Sequence, residues 1–378
     1  MRSFNKKNYL KKFKLVKLYL LIKTKAYYSI ENLKMVLRKI FKIQHIPDIF
    51  NNINIETSSV CNLGCKFCGY TKRDENKYPF KVMSDEDFYE NVKQAEIYGF
   101  KNIGLSPVTG DIYMDKNLSN KFRILENSNI DGFYFVTNFI ATKHNDIDEY
   151  FSLRKLKSIE ISIYGHDLET FKKISDSNDV SYFRLIDNLK YIYEKLKNNV
   201  NNFTLGIDQR DSKTFKIEND NSDLSLIIKK ILSLKKNNIK YNFETNYNNW
   251  GGMINNKDLE GLNLQLNDGK EVFKVGACSL LFSRLIIGAD NTVNACACRD
   301  ANYSLRIGNT KNSNLKEILS YKNKKYLNII KNHENENYPD ICKNCDFYTS
   351  IYSTTHKAGI AYDERKRINL KEFYKLIQ

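Results

Sequence analysis

No stretch of this 378-residue chain approaches the roughly 18 to 20 apolar residues that carry a helix across a bilayer. The longest candidate, Leu15 to Ile22, is interrupted by Lys17 and is followed by no small-residue cleavage site. Neither a transmembrane helix nor a secretory signal is expected. No internal repeat is visible, which excludes a solenoid, and the abundant Asn and Lys are scattered rather than gathered into a low-complexity tract. Positive charge is also scarce where a nucleic-acid binder would need it. The net charge is +16, but Met1 to Phe50 hold thirteen Lys and Arg against Glu31 and Asp48, a net +11 that leaves only +5 for the other 328 residues. No nucleic-acid partner is expected of the body.

What is present is enough for a large core. Hydrophobic residues make up 42% and aromatics 13%, with 25 Tyr and 22 Phe, and the length suits one large domain plus a smaller appended unit. The pattern divides the chain into a basic extension (1–50), an α/β body (51–250), a cysteine-rich unit (251–350) and a helical tail (351–378). In the extension Leu10, Phe13, Val16, Leu20, Val36, Ile40 and Phe41 interleave with lysines. Such a segment forms basic amphipathic helices at an anionic membrane surface, or a solvated helix packed on the body. The eight cysteines fall in clusters with ligand-like spacing, pointing to metal binding in a reducing compartment. The expected location is cytoplasmic, peripheral to the inner membrane surface.

From residue 53 onward short β-type runs alternate with helical patterns, the signature of a parallel sheet with crossover helices. Six strands are expected near Ile53–Glu56, Asn102–Leu105, Gly132–Val136, Ile159–Ile163, Phe203–Ile207 and Tyr241–Glu244. One helix should start at Ser84, an N-cap followed by three acidic residues, and stop at Gly99. Others are expected near 167–174, 182–196 and 224–234. Six βα units are too few for a closed eight-stranded barrel, leaving a partial barrel or an open doubly wound sheet.

Directly after the first strand lie Cys61, Cys65 and Cys68, a C-x3-C-x2-C set on a tight loop. Three thiolates on a cubane [4Fe–4S] cluster leave one iron open, whereas zinc normally closes its tetrahedron with a fourth Cys or His that this loop lacks. The loop, with Phe67 before its last cysteine, resembles the radical S-adenosylmethionine (SAM) superfamily. That resemblance implies a partial (β/α)6 barrel, a SAM-binding [4Fe–4S] cluster and reductive cleavage of SAM to a 5′-deoxyadenosyl radical that abstracts hydrogen from a substrate. It also implies roles for individual residues. Phe67 would lie against the adenine. Ser106 to Asp111 takes the place of the family's Gly-Gly-Glu motif, giving Thr109, Gly110 and Asp111 to the SAM amino group. Thr137-Asn138 matches Thr-Asn-Gly with Phe139 in place of the glycine. Ser162 would contact the ribose or carboxylate, and Arg210 would pair with the carboxylate.

Cys278, Cys296, Cys342 and Cys345 form a second set, C-x17-C-x45-C-x2-C, with Cys298 as an additional thiol. Between them Leu285 to Val293 reads as a hairpin around Asp290-Asn291, followed by Ile307 to Thr310 and a helix near 315–319. The layout resembles the SPASM/twitch extension of radical SAM enzymes, a small α+β unit that binds auxiliary [4Fe–4S] clusters. Five cysteines match the shorter twitch form with one auxiliary cluster; a structural zinc knot is the alternative. The family reading implies an oxidoreductase acting on a small-molecule or glycan substrate, a sugar or cyclitol alcohol, fed by a one-electron reductant such as flavodoxin or ferredoxin. A peptide-modifying enzyme and a non-catalytic iron–sulfur electron carrier are the competing classes. Tyr247 to Gly252 and Arg299-Asp300 are candidate active-site lining, and no base is identified.

Overall fold

The structure is a computed structural model that describes residues 29–354 and 367–378; Leu10, Phe13, Val16 and Leu20 lie outside the described residues. Helix α1 (29–40) precedes six parallel strands: β1 (Asn52–Ile55), β2 (Asn102–Gly104), β3 (Gly132–Thr137), β4 (Leu156–Tyr164), β5 (Thr204–Arg210) and β6 (Ile239–Glu244). They pair in chain order, β1-β2-β3-β4-β5-β6. A sheet that never reverses its strand order is the partial barrel, not the doubly wound alternative, whose order doubles back at a switch point. Apolar side chains recur at alternate positions and so share one face of the strands, as in Ile159, Ile161 and Ile163 of β4 and Leu205 and Ile207 of β5, all fully buried.

The crossovers are helical: α2 (Asp85–Tyr98), α3 (Leu118–Asn127), α4 (His144–Tyr150), α5 (Leu168–Ser175) with α6 (Asp179–Asn198), and α7 (Asp223–Ser233). α2 begins as expected, with Ser84 Oγ accepting the Asp87 amide at 3.1 Å beneath three acidic residues. It ends at Gly99, whose φ of 102° suits glycine.

The cysteine-rich unit is not set apart from this sheet. Beyond a small parallel pair, β7 (Asn246–Tyr247) and β8 (Gln265–Leu266), its hairpin, β9 (Ile286–Ile287) and β10 (Thr292–Asn294), turns at Asn291 with φ 68°. β9 pairs parallel with β1, Asn54 opposite Ile286, and β11 (Arg306–Asn309) completes nine strands in the order β11-β10-β9-β1-β2-β3-β4-β5-β6. The first barrel strand would otherwise expose an unpaired edge, and β9 covers it. Two-residue strands carry too little pattern to announce such pairing in the sequence. At the far end α12 (Leu370–Leu376) sets Phe373 edge-on against Phe282 at 4.8 Å, and residue 368 bridges to Ile46.

Just past β1 lies Glu56, fully buried where barrel and cysteine-rich unit meet. Its carboxylate accepts hydrogen bonds from the Val108 amide (3.1 Å), the Ala289 amide (3.4 Å), Tyr303 Oη (3.2 Å) and Tyr78 Oη. The Tyr78 and Tyr303 rings stack at 3.7 Å. Burial pushes Glu56 up from 4.5 to about 7, against the opposing pull of these hydrogen bonds and of Arg73. A carboxyl raised in the folded state contributes stability that is complete below about pH 4.5 and lost as pH rises to about 7. Across that window the wild type should lose stability relative to Glu56→Gln, by up to the order of 3 kcal/mol, with a constant difference above it. Denaturant unfolding of both proteins across pH 4.5 to 8 checks this, and a difference that does not change with pH contradicts it.

Candidate active site and cluster-binding cysteines

The carboxyl ends of the barrel strands and the first cysteine loop enclose a cavity of about 970 Å³, including its open mouth. Cys61, Cys65 and Cys68 line it together with Phe67, Thr109, Gly110, Asp111, Asn138, Ser162 and Arg210, so every cofactor-site residue expected from the sequence lies on one cavity. The far wall comes from the segment after β6 and from the cysteine-rich unit: Tyr247, Asn248, Trp250 and Arg299.

The loop is built to bring its thiols inward. The Cys68 amide donates to the Cys65 carbonyl at 3.0 Å, closing a tight turn, and Asn138 Nδ2 donates to Asn62 Oδ1 at 2.7 Å beside Cys61. Burial pushes the thiols of all three up, while the Arg210 charge pulls Cys65 and Cys68 down. Bare thiolates are disfavoured there; a bound metal removes the proton outright, so the donor set suits metal ligation.

Gly110, at φ 134°, runs so close to the loop base that a Cβ would stand 2.9 Å from the Val60 carbonyl oxygen. Thr109 Oγ1 accepts from the buried Arg73 at 3.1 Å. Asp111 differs from the expectation of a free acceptor. Its carboxylate already takes the Asn138 amide (2.7 Å), the Tyr113 amide (3.0 Å) and Thr137 Oγ1 (3.0 Å), fixing the β2 loop to the end of β3. With its acceptor positions so engaged, it offers a ligand little. Phe67 packs against Tyr164 (4.9 Å) and Tyr247 (4.8 Å). Phe139, standing where the resemblance has glycine, adopts φ 64°, a left-handed strain held by its buried ring.

Three cavity residues carry buried polar atoms with no partner among the described residues: Ser106 Oγ, Tyr247 Oη and Arg299 Nε. Unsatisfied buried donors of this kind suit a polar ligand. Ser106 and Tyr164 each had a sequence signal, a place just beyond an expected barrel strand; Tyr70, which also lines the cavity, had none.

Arg299 is gripped by Trp250 (5.2 Å from the ring centre) and Phe347 (4.6 Å), and Asn248 links it to Asp346 through contacts of 2.7 and 3.0 Å. Its charge reaches both Cys68 and Cys298. Asp300 proves to be no part of the cavity lining. It takes hydrogen bonds from Asn294, Ser304 and Leu305 and so shapes the loop that carries Cys296 and Cys298.

The second group converges by similar means. Ser279 N donates to the Thr349 carbonyl at 2.8 Å beside Cys278, and Cys342 sits in the short helix α11 (Asp340–Lys343) ahead of Cys345. Gly269 abuts this loop so tightly that a Cβ would meet the Asn344 carbonyl oxygen at 1.7 Å. Burial raises Cys278 to about 11 and Cys345 to about 12, and it raises Cys296, Cys298 and Cys342 as well. The Cys298 charge acts on Cys278, Cys296 and Cys345, so this thiol stands within the group. Among the described residues no three Cys, His, Asp or Glu side chains close on a single metal ion.

Comparison with known proteins gives the same assignment from another direction. A sequence model of the radical SAM superfamily matches residues 55–220, and one of the SPASM iron-sulfur cluster-binding domain matches residues 278–346. The chain belongs to the radical SAM superfamily. It is a radical SAM enzyme with a C-terminal SPASM domain, and its cofactors are SAM and [4Fe–4S] clusters. Among solved structures it is similar in fold to BtrN in complex with AdoMet and 2-DOIA, at 14% identity and a TM-score of 0.51, covering 79% of this chain and 94% of that one. It is likewise similar to Streptococcus suis SuiB bound to the precursor peptide SuiA, at 14% identity and a TM-score of 0.53, covering 81% of this chain and 73% of that one. No curated protein matches the sequence.

Anaerobic reconstitution should load about eight irons per chain, four for each cubane. Replacing Cys61, Cys65 and Cys68 together by Ala should remove about half. Cys298→Ala should keep all of it if Cys278, Cys296, Cys342 and Cys345 complete the second site, and loss of iron in that variant would make Cys298 a ligand.

Proposed function

We propose that this radical SAM enzyme is a dehydrogenase that oxidises a sugar or cyclitol alcohol, with Cys61, Cys65 and Cys68 holding the SAM-binding cluster and Cys278, Cys296, Cys342 and Cys345 the auxiliary one. The observation that carries the reading is the shared cavity, bounded on one side by the first cysteine loop and on the other by Arg299, the neighbour of Cys298. A substrate in it would lie between the two cluster sites. When bound, SAM at the first cluster would supply a radical that takes a hydrogen atom from the alcohol carbon, a base would take the hydroxyl proton, and the second cluster would supply a sink for the one electron left as the alcohol becomes a ketone.

The chain's own part is binding, orientation and dryness. Arg210, at the end of β5 and lining the cavity, would hold the SAM carboxylate by charge-assisted hydrogen bonds, with Ser162 and the free Ser106 hydroxyl as further polar contacts. The apolar walls of Phe67, Tyr164 and Tyr247 exclude water from the reacting atoms. Arg299, already positioned and with its Nε free, faces the substrate side of the same reading. The BtrN structure, which holds AdoMet with 2-DOIA, agrees with a small molecule, and five cysteines rather than seven in the SPASM region favour it over a peptide. A flavodoxin or ferredoxin is the proposed reductant. Among the described residues no helix is long and apolar enough to cross a membrane, and the basic extension supports contact with an anionic membrane surface from the cytoplasmic side.

Reduced enzyme should release 5′-deoxyadenosine from SAM and convert a member of an aminocyclitol and sugar panel to its ketone. Removing Cys342 and Cys345 should spare the first reaction and abolish the second. Clusters without 5′-deoxyadenosine would instead mark an electron carrier, and turnover only of peptides a peptide-modifying enzyme. Arg210→Ala should keep its iron yet bind SAM at least tenfold more weakly by calorimetry, the loss of a charged hydrogen bond worth about 1.5–3 kcal/mol; unchanged affinity would remove Arg210 from the SAM site.

A further inference from the structure

Helix α1 presents an apolar stripe to solvent. Ile30, Leu33, Leu37 and Ile40 recur at helical spacing on one side, and Phe41 and Ile43 continue it; exposures run from 43% at Leu37 to 70% at Phe41. These six make up a third of the exposed large apolar side chains among the described residues, gathered into fourteen consecutive positions. Such a patch is costly to leave in water without a partner.

The opposite side of the helix is already used. Met35 and Val36 pack on the core, Arg38 donates to the Tyr352 carbonyl at 3.1 Å, and Lys39 pairs with Glu336 at 2.5 Å. Val36, grouped in the sequence with the outward apolar residues, in fact faces the body. These contacts hold the helix against the body with the stripe outward, so the stripe takes no part in the core formed by the described residues.

Charge decides among possible occupants. Lys34, paired with Glu31, is exposed on this helix and Lys42 just beyond its end, and residues 1–28 contain nine Lys and Arg with no Asp or Glu. A second copy of the chain would bring the same charges into opposition, whereas an anionic lipid surface neutralises them while apolar side chains enter below the headgroups. We propose that α1 is the membrane-contacting element, lying in the plane of an anionic bilayer surface with Ile30, Leu33, Leu37, Ile40 and Phe41 inserted at the headgroup boundary. This deepens the membrane part of the reading above and rests on it.

The test is co-sedimentation of the cluster-loaded protein with vesicles of phosphatidylcholine alone or with one quarter phosphatidylglycerol. The wild type is compared with Leu33→Asn/Leu37→Asn/Ile40→Asn and with a deletion of residues 2–28. The triple variant keeps the charge unaltered, and its iron content reports that it folds. The wild type should pellet with anionic but not neutral vesicles. The triple variant should bind at least tenfold more weakly, and the deletion should retain binding that survives high salt better than the wild type's does. If wild type and triple variant bind alike, the stripe is not the contact and the membrane reading survives only through residues 1–28. If the wild type binds no vesicles, the membrane reading itself falls. A wild-type dimer that the triple variant converts to monomer without lipid would make the occupant a second copy and overturn the proposal.

Discussion

Glu56 accepts hydrogen bonds from the β2 loop through Val108 and from the cysteine-rich unit through Ala289 and Tyr303. The cost of burying one carboxylate is thus partly offset by donors from the β2 loop and from the cysteine-rich unit. The same junction contains the β1–β9 pairing, which makes one continuous sheet of barrel and extension. Five residues after Glu56 comes Cys61. Loosening this corner would therefore disturb the cavity edge at Thr109, which Arg73 holds, and the hairpin that leads to Cys296.

Much of this was legible in the sequence because the signals are local. Strand-length apolar runs, an N-cap followed by acids at Ser84 and a three-cysteine loop each depend on residues close in the chain. What was hidden depends on residues far apart. Glu56 reads as the polar end of a strand until Ala289 and Tyr303 are brought to it, and Asp111 reads as a free carboxylate until Thr137 and the Asn138 amide occupy it. Cys298 looked surplus beside Cys296, and only the fold sets it among Cys278, Cys296 and Cys345. In α1 the sequence pattern singled out Val36 and Ile40 but not Ile30, Leu33 or Leu37, and it could not say which of the two, Val36 or Ile40, faces the protein.

Arg299 gives the cavity its second character. A cation held between Trp250 and Phe347 and tied through Asn248 to Asp346 does not swing freely. Its field reaches Cys68 and Cys298 alike, so the side chain that bounds the substrate space also touches the electrostatics of both cysteine groups.

The central claim is that two different clusters flank one cavity, only the first having an iron open to SAM. Electron paramagnetic resonance of the reduced, reconstituted protein with and without SAM tests it most directly. The account predicts two overlapping [4Fe–4S]⁺ signals, of which SAM changes one alone, the one missing from the protein lacking Cys61, Cys65 and Cys68. A single signal, or a SAM-sensitive signal that persists in that variant, would contradict it.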